Sequence, residues 1–250
     1  MPNLSTIPAI AGIVLSCAML LSLSDPAHAY GRGNNGGQQR GLSTRVAALP
    51  LQDLSTEEEV GLVKMREEEK LARDVYQVLY QQWGHQVFAN ISRSEQRHMD
   101  AVKALLDKYN LVDPVTDSQV GVFTDPEMQT LYESLVAEGR SSLVAAFHVG
   151  ATIEDLDIKD LYELLEKTDN DDIKMVYENL SRGSRNHLRA FTTQLLLSGQ
   201  SYEAQFLTQE QIDDIITSPM ERGGNGGGRG AGRQRRASSA MNGSRYLLGK

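Results

Sequence analysis

The sequence predicts an all-α fold in which four long helices pair as two hairpins, with a long crossover between the second and third and short accessory helices. Three observations carry this expectation. Between about residues 54 and 218, apolar residues recur at three- and four-residue intervals, with almost no strand-like alternation. Start and stop signals bracket four segments of more than twenty residues each. The first and second segments are joined by a short turn, as are the third and fourth, whereas about 30 residues separate the second from the third.

Ser55 to Glu58 forms the Ser-x-x-Glu capping pattern and opens the first helix, which runs to Trp83, where Gly84 ends it. Its inward stripe is Leu62, Met65, Glu69, Ala72, Tyr76, Leu79 and Tyr80. The second helix spans about Val87 to Tyr109, with Phe88, Ile91, Glu95, His98, Val102, Leu105 and Leu106 on one face and Asn110 as its stop. The crossover, Leu111 to Arg140, has turn residues at Pro114 and Gly121 and a short helix over Pro126 to Glu138. Ser141-Ser142 starts the third long helix, which reaches Lys167 and bends near Gly150. Asn170, Asp171 and Asp172 place acidic groups at the N-terminus of the fourth helix, which continues to Leu197. A small helix over Thr208 to Thr217 closes the folded part. Two hairpins joined by such a crossover describe a four-helix bundle of the ferritin-like sort.

The ends differ from the middle. Of 250 residues, 40% are hydrophobic, enough for one core once the termini are set aside. Residues 4–23 carry no charge and precede Ala27-His28-Ala29, the pattern of a signal peptide over residues 1–29 cut after Ala29. This implies an exported protein, periplasmic or extracellular, with no membrane span after cleavage; an uncleaved anchor is the competing reading. The single cysteine, Cys17, lies in that segment, so the mature chain has neither thiol nor disulfide. Residues 30–53 read as a flexible linker and 219–250 as a disordered Gly/Arg-rich tail. From residue 221 onward seven cations face one acid, a net +6, so the chain's −8 leaves −14 on the rest. Such a tail suits a polyanion or cell-envelope polymer, with no specific nucleic acid indicated, and equally suits plain solvation.

Each apolar stripe is interrupted by groups a core would not choose. Glu69 lies on the first, Glu95 and His98 on the second, Glu154 and Asp157 on the third, and His187 on the fourth. A buried unpaired carboxylate costs several kcal/mol, so acids from separate helices at one height imply a shared cation. Carboxylate oxygens with imidazole nitrogens and no thiolate suit iron, manganese or zinc, as one or two ions. Taken singly the groups mean less. A lone Glu-x-x-His is common, and His187 alone reads as a core histidine bonded to a carbonyl. Of Glu67, Glu68 and Glu69, two are expected on the wet face. A rival arrangement satisfies the inward acids with Arg73, Arg97 or Arg185.

At these residues the chain resembles a known family. EEEKLARDVY (67–76), FANISRSEQRHMDAVKALLDKY (88–109), GATIEDLDIKDL (150–161) and YENLSRGSRNHLRAF (177–191) resemble the ferritin-like family catalogued as domain of unknown function 2202. More distantly, Glu69-Lys70-Leu71-Ala72 with Tyr76 resembles the first helix of rubrerythrins, in which a Glu is a metal ligand and a Tyr follows seven residues later. Glu95 and His98 match the second-helix Glu-x-x-His of the wider di-iron class, and Glu154 its third-helix carboxylate. In the fourth helix that class has Glu-x-x-His, where this chain has Ser184-Arg185-Asn186-His187. The imidazole is kept and the carboxylate is lost, which leaves a di-iron site, a single-metal site and a metal-free scaffold all open.

The resemblance implies a metal-binding protein, iron first, with ferroxidase or peroxide-reducing chemistry as a di-iron or mono-iron oxidoreductase. The expected ligands are Glu69, Glu95, His98, Glu154, Asp157 and His187, with Tyr76 and Ser184 beside them. The alternative is a non-enzymatic exported bundle that binds a partner or polyanion through its basic tail. A homodimer is compatible with either.

Overall fold

In the computed structural model residues 36–222 are described, with side chains from residue 41 onward. All regular structure among them is helical: α1 (Gly36–Ala48), α2 (Thr56–Trp83), α3 (Gln86–Lys108), α4 (Pro126–Gly139), α5 (Leu143–Lys167), α6 (Asp171–Leu197) and α7 (Gln209–Thr217). No described helix is long and apolar enough to cross a membrane. The apolar run over residues 4–23, Cys17 and the tail beyond residue 222 lie outside the described residues.

Local chemistry sets the helix ends. Ser55 Oγ accepts from the Glu58 N–H while the Glu58 carboxylate accepts from the Ser55 N–H, so two otherwise orphaned donors at the start of α2 are satisfied. Gly84 ends α2 at φ 65°, a left-handed conformation that costs glycine little, with its N–H donating to Tyr80 O. Ser142 caps α5 through the Ala145 N–H, and Thr208 with Gln211 forms a second reciprocal cap on α7.

The four long helices pack in a ring, α2 against α3, α3 against α6, α6 against α5 and α5 against α2. Contacts between α2 and α5 run in opposite directions along the two helices. Glu58 meets Thr168, Gly61 faces Leu164, Lys64 meets Asp160 and Tyr76 meets Gly150. Between α3 and α6 the order is likewise reversed, with Glu95 beside His187, His98 against Gly183 and Lys108 on Asp172. All four neighbours are therefore antiparallel, so α3 and α5 run the same way on opposite sides of the ring. The segment between them must return along the full length of the helices. It does so over α2, with α4 packed on α2 and α5.

That path explains a departure from the expected pattern. Every residue from Met65 to Tyr76 is buried, including Glu67 and Glu68, which were expected in water. The crossover covers the face of α2 that points away from the ring and carries Glu67, whereas Glu68 is buried on the side of α5, beside Lys64. Lys70 Nζ donates to Asp74 Oδ2 (2.6 Å) and Gln119 O (3.0 Å) and lies 4.2 Å above the Phe123 ring. The Gly121 N–H also reaches Asp74 Oδ2, and Arg66 holds Asp113 through two 3.0 Å bonds.

The expected linker over 30–53 contains α1. Gly36, Gly37 and Gly41 disfavour a helix locally, but Val46 is buried and Leu42 packs against the core formed with α3 and α6. Lys108 Nζ donates to the Val46 carbonyl in the last turn of α1 and to the Leu49 and Pro50 carbonyls just past it. At the other end the folded part extends past residue 218. Glu221 accepts from Arg185 and Arg189, and its N–H donates to Asn186 Oδ1.

The segment after α6 hangs on one buried acid. Asp155 accepts from Tyr202 OH (2.9 Å) and from the N–H groups of Gln205 (2.7 Å), Phe206 (3.1 Å) and Leu207 (2.8 Å). Asp155→Ala leaves these donors without their acceptor and should destabilise the protein by about 3 kcal/mol or more, read by urea unfolding. A loss below about 1 kcal/mol would contradict this role.

The apolar core is split along the helix axes. One cluster gathers Val75, Tyr76, Leu79, Phe88, Phe147, Leu188 and Phe191; the other gathers Leu62, Met65, Val102, Leu105, Leu161, Val176 and Leu180. Between them, on all four long helices, lies a buried layer of acids and imidazoles.

Candidate metal centre

Each long helix brings its polar group to this layer by the same device: a helical stripe that carries Leu, Val or Phe above and below and a ligand-type residue between. Glu69 comes from α2, Glu95 and His98 from α3, Glu154 from α5 and His187 from α6, and all five are buried. His98 Nδ1 lies 2.7 Å from Glu95 Oε2 and 3.2 Å from Glu69 Oε2. His187 Nδ1 lies 2.8 Å from Glu95 Oε1 and 3.4 Å from Glu154 Oε2. Glu95 thus turns one oxygen to each imidazole. The donors form two groups, Glu69–Glu95–His98 and Glu95–Glu154–His187, within each of which the ligand atoms lie inside 4.8 Å of one another.

His98 Nδ1 and Glu69 Oε2 share a hydrogen bond, but most of this proximity is not hydrogen bonding. Glu69 Oε1, both Glu95 oxygens, Glu154 Oε2 and His187 Nδ1 are buried without an aligned hydrogen-bond partner. Buried polar atoms are nearly always paired, and five orphans around two points is the pattern expected of atoms that share a third centre. Three oxygen and nitrogen donors per point, with positions left open, suit iron, manganese or zinc. The residues fit a pair of ions.

Electrostatics agree with the geometry. Burial pushes Glu69 up to about 8, against the opposing pull of His98. Burial would lower His98, yet the carboxylates of Glu69 and Glu95 carry it to about 9. Burial would raise Glu95, but the imidazoles of His187 and His98 hold it far below the usual carboxylate range. Burial would lower His187 as well, and Glu95 and Glu154 keep it well above its ordinary value. Without a cation the layer must therefore retain protons.

Asp157 is buried one turn from Glu154, and burial with the charges of Glu69 and Glu154 drives it well above its ordinary value. It belongs to neither group of donors, although the sequence pattern places it among the ligands. Tyr76 OH donates to Glu154 Oε1 at 2.6 Å, with Gly150 O at 3.3 Å behind it, and so fixes the carboxylate that faces His187. Ser184 is buried and donates to Leu180 O, one turn back on its own helix. The arginines of the rival arrangement are engaged elsewhere, Arg73 with Asp74 and Gln96, Arg97 with Arg93 O, and Arg185 with Glu221 and Ser181.

Sequence reasoning missed Gly183. A Cβ at this position would lie 2.5 Å from His98 Cε1 and 2.6 Å from Nε2. The His98 ring turns its Cε1–Nε2 edge to the α6 backbone at Gly183, while Nδ1 faces the carboxylates of Glu95 and Glu69. The available signal was a glycine in the interior of a long helix, which costs stability unless close packing requires it.

Residues 58–219 match the family described as uncharacterized protein domain DUF2202. The chain belongs to this family. The DUF2202 match takes in both groups of donors on the four long helices. The chain is 56% identical over 180 residues to uncharacterized protein MJ0754 of Methanocaldococcus jannaschii, which covers 72% of this chain and 97% of that relative. The crystal structure of hypothetical protein MJ0754 from Methanococcus jannaschii superposes with a TM-score of 0.68 at 56% identity, covering 69% of this chain and 99% of that one.

Proposed function

We propose that this DUF2202 protein is an exported, ferritin-like metal-binding protein whose four-helix bundle holds two transition-metal ions, iron before manganese or zinc. The observation that carries the reading is Glu95, whose two oxygens face two separate imidazoles, each accompanied by its own carboxylate. Antiparallel neighbours joined by a lengthwise crossover support the ferritin-like assignment. The distant likeness to rubrerythrins rests on Glu69 and Tyr76, with Ser184 where the wider class carries a second shared acid. Export rests on the apolar run and Ala27-His28-Ala29.

Glu69 with His98 would hold one ion, Glu154 with His187 the other, and Glu95 both. Iron held there supplies one-electron chemistry toward dioxygen or peroxide, the basis of a ferroxidase or peroxide-reducing activity. The chain's own groups prepare that chemistry. Three carboxylates offset most of the charge of two divalent ions. The apolar clusters on either side keep bulk water from the donors, and Tyr76 holds Glu154 in place.

Protein produced with iron, manganese and zinc supplied should carry two ions per chain by elemental analysis, one for each group of donors. A chain that carries none contradicts the reading. The metal-free protein gives a second test. Glu69 moves from 4.5 to about 8 and His98 from 6.5 to about 9, so each keeps a proton on folding that the unfolded chain has released. Stability from these two groups is complete below the unfolded values and is lost as pH rises through the folded ones. Glu95, held low, acts oppositely, and its contribution is lost only on acidification below 4.5. The melting temperature of metal-free protein should therefore fall between pH 4.5 and 9, most steeply above 6.5, where both groups contribute. Added metal should abolish the fall, because the cation takes the place of the protons. A flat metal-free profile would contradict it.

A further inference from the structure

Beside the two groups of donors runs a second line of acids that the centre does not use. The register that sets Gly61 against Leu164 and Lys64 against Asp160 places Glu68 opposite Asp157 one turn further along the α2/α5 seam. Glu68 is 6% exposed and Asp157 3%. Glu68 Oε2 and Asp157 Oδ2 are both buried without a hydrogen-bond partner. An unpaired buried oxygen costs roughly 1–3 kcal/mol and a charged one more, so these two imply a missing occupant.

The seam connects in both directions. Inward, Asp157 lies within range of the charges on Glu69, Glu154 and Glu95. Outward, Lys64 Nζ lies 3.0 Å from Glu68 Oε1 and 2.6 Å from Asp160 Oδ2. The Lys64 side chain is 44% exposed, whereas those of its two acidic partners are 8% and 7% exposed. A flexible ammonium gripped by two buried acids marks a place where the fold stabilises positive charge, and its stem can swing into water. Lys159 is already divided between Asp160 and Glu163.

We propose that Glu68 and Asp157 form a third divalent-cation position, a way station on the α2/α5 seam through which cations pass from the surface to the two-ion centre, with Lys64 as its removable cap. Its donors are carboxylate oxygens alone, whereas each inner position adds an imidazole. The seam therefore binds a hydrated Mn²⁺ or Fe²⁺ more weakly than the centre and releases it inward. As the cation arrives, Glu68 exchanges an ammonium for a metal ion and Lys64 moves outward with Asp160.

This inference rests on the two-ion reading, and Mn²⁺ titration of the full chain separates the two. Wild-type protein should take up two Mn²⁺ ions and then a third, weaker one, by calorimetry and electron paramagnetic resonance. Glu68→Gln, which preserves shape, should lose the third ion and fill the inner pair at least tenfold more slowly in stopped-flow mixing. Lys64→Met should act oppositely, with tighter third-ion binding and faster filling, a direction that general destabilisation does not produce. If Glu68→Gln fails to fold, Lys64→Met, at a half-exposed position, decides the matter, and an unchanged filling rate overturns the way station. Two ions with unchanged filling in both variants overturns the way station and leaves the centre standing. No Mn²⁺ bound by wild type overturns both.

Discussion

Glu95→Gln should cost the protein both metal ions at once. The amide keeps the shape of the side chain but cannot present two anionic oxygens, and Glu95 is the one acid that belongs to both groups of donors. Loss of a shared charged ligand should weaken binding at each position by roughly 100-fold or more, since removal of supporting partners alone costs 10–100-fold. In metal-free protein the same change removes a negative charge from beside both imidazoles, so the pKa values of His98 and His187 should fall together, as followed by NMR. Glu69→Gln and His187→Asn provide the contrast, since each touches only one group and should spare one ion. If Glu95→Gln retains two ions at wild-type affinity, the shared-carboxylate arrangement is wrong.

Gly183→Ala should convert a two-ion protein into a one-ion protein. Alanine in the interior of a helix ordinarily stabilises by about 1 kcal/mol relative to glycine. Here its methyl would sit 2.5 Å from the His98 ring, and because α6 cannot retreat without opening its contact with α3, the ring must turn. Nδ1 then leaves the space between Glu69 and Glu95, while His187 and Glu154 keep theirs. Elemental analysis should show the stoichiometry fall from two to one with helical circular dichroism unchanged. Two ions at unaltered affinity would show that Gly183 serves packing alone.

The sequence made the helices legible because their boundaries are local chemistry. The Ser55–Glu58 cap, the left-handed Gly84 and the acids at 171–172 can each be read without knowledge of the rest of the chain, and the structure starts or stops helices within a few residues of them. The interrupted stripes were legible for a similar reason: Glu69, Glu95, His98, Glu154 and His187 fall at core positions in the helical period, and the fold brings them together. What could not be read was tertiary. Residues 36–48 are helical because Val46 and Leu42 find a surface on α3 and α6, a fact absent from their own glycine-rich composition. Glu67 looks like a wet face because periodicity describes one partner surface, and α2 has a second beneath the crossover, while Glu68 is buried against α5 beside Lys64. Gly183 was illegible because its role belongs to an imidazole 85 residues earlier, at position 98.

Anomalous scattering from a crystal of iron-loaded protein tests the central claim most directly. Two iron peaks are expected in the layer between the apolar clusters, one beside His98 Nδ1 with Glu69 and one beside His187 Nδ1 with Glu154, flanking the Glu95 carboxylate. Peaks only at the surface, or a well-ordered iron-supplied crystal with no peak in that layer, would contradict it.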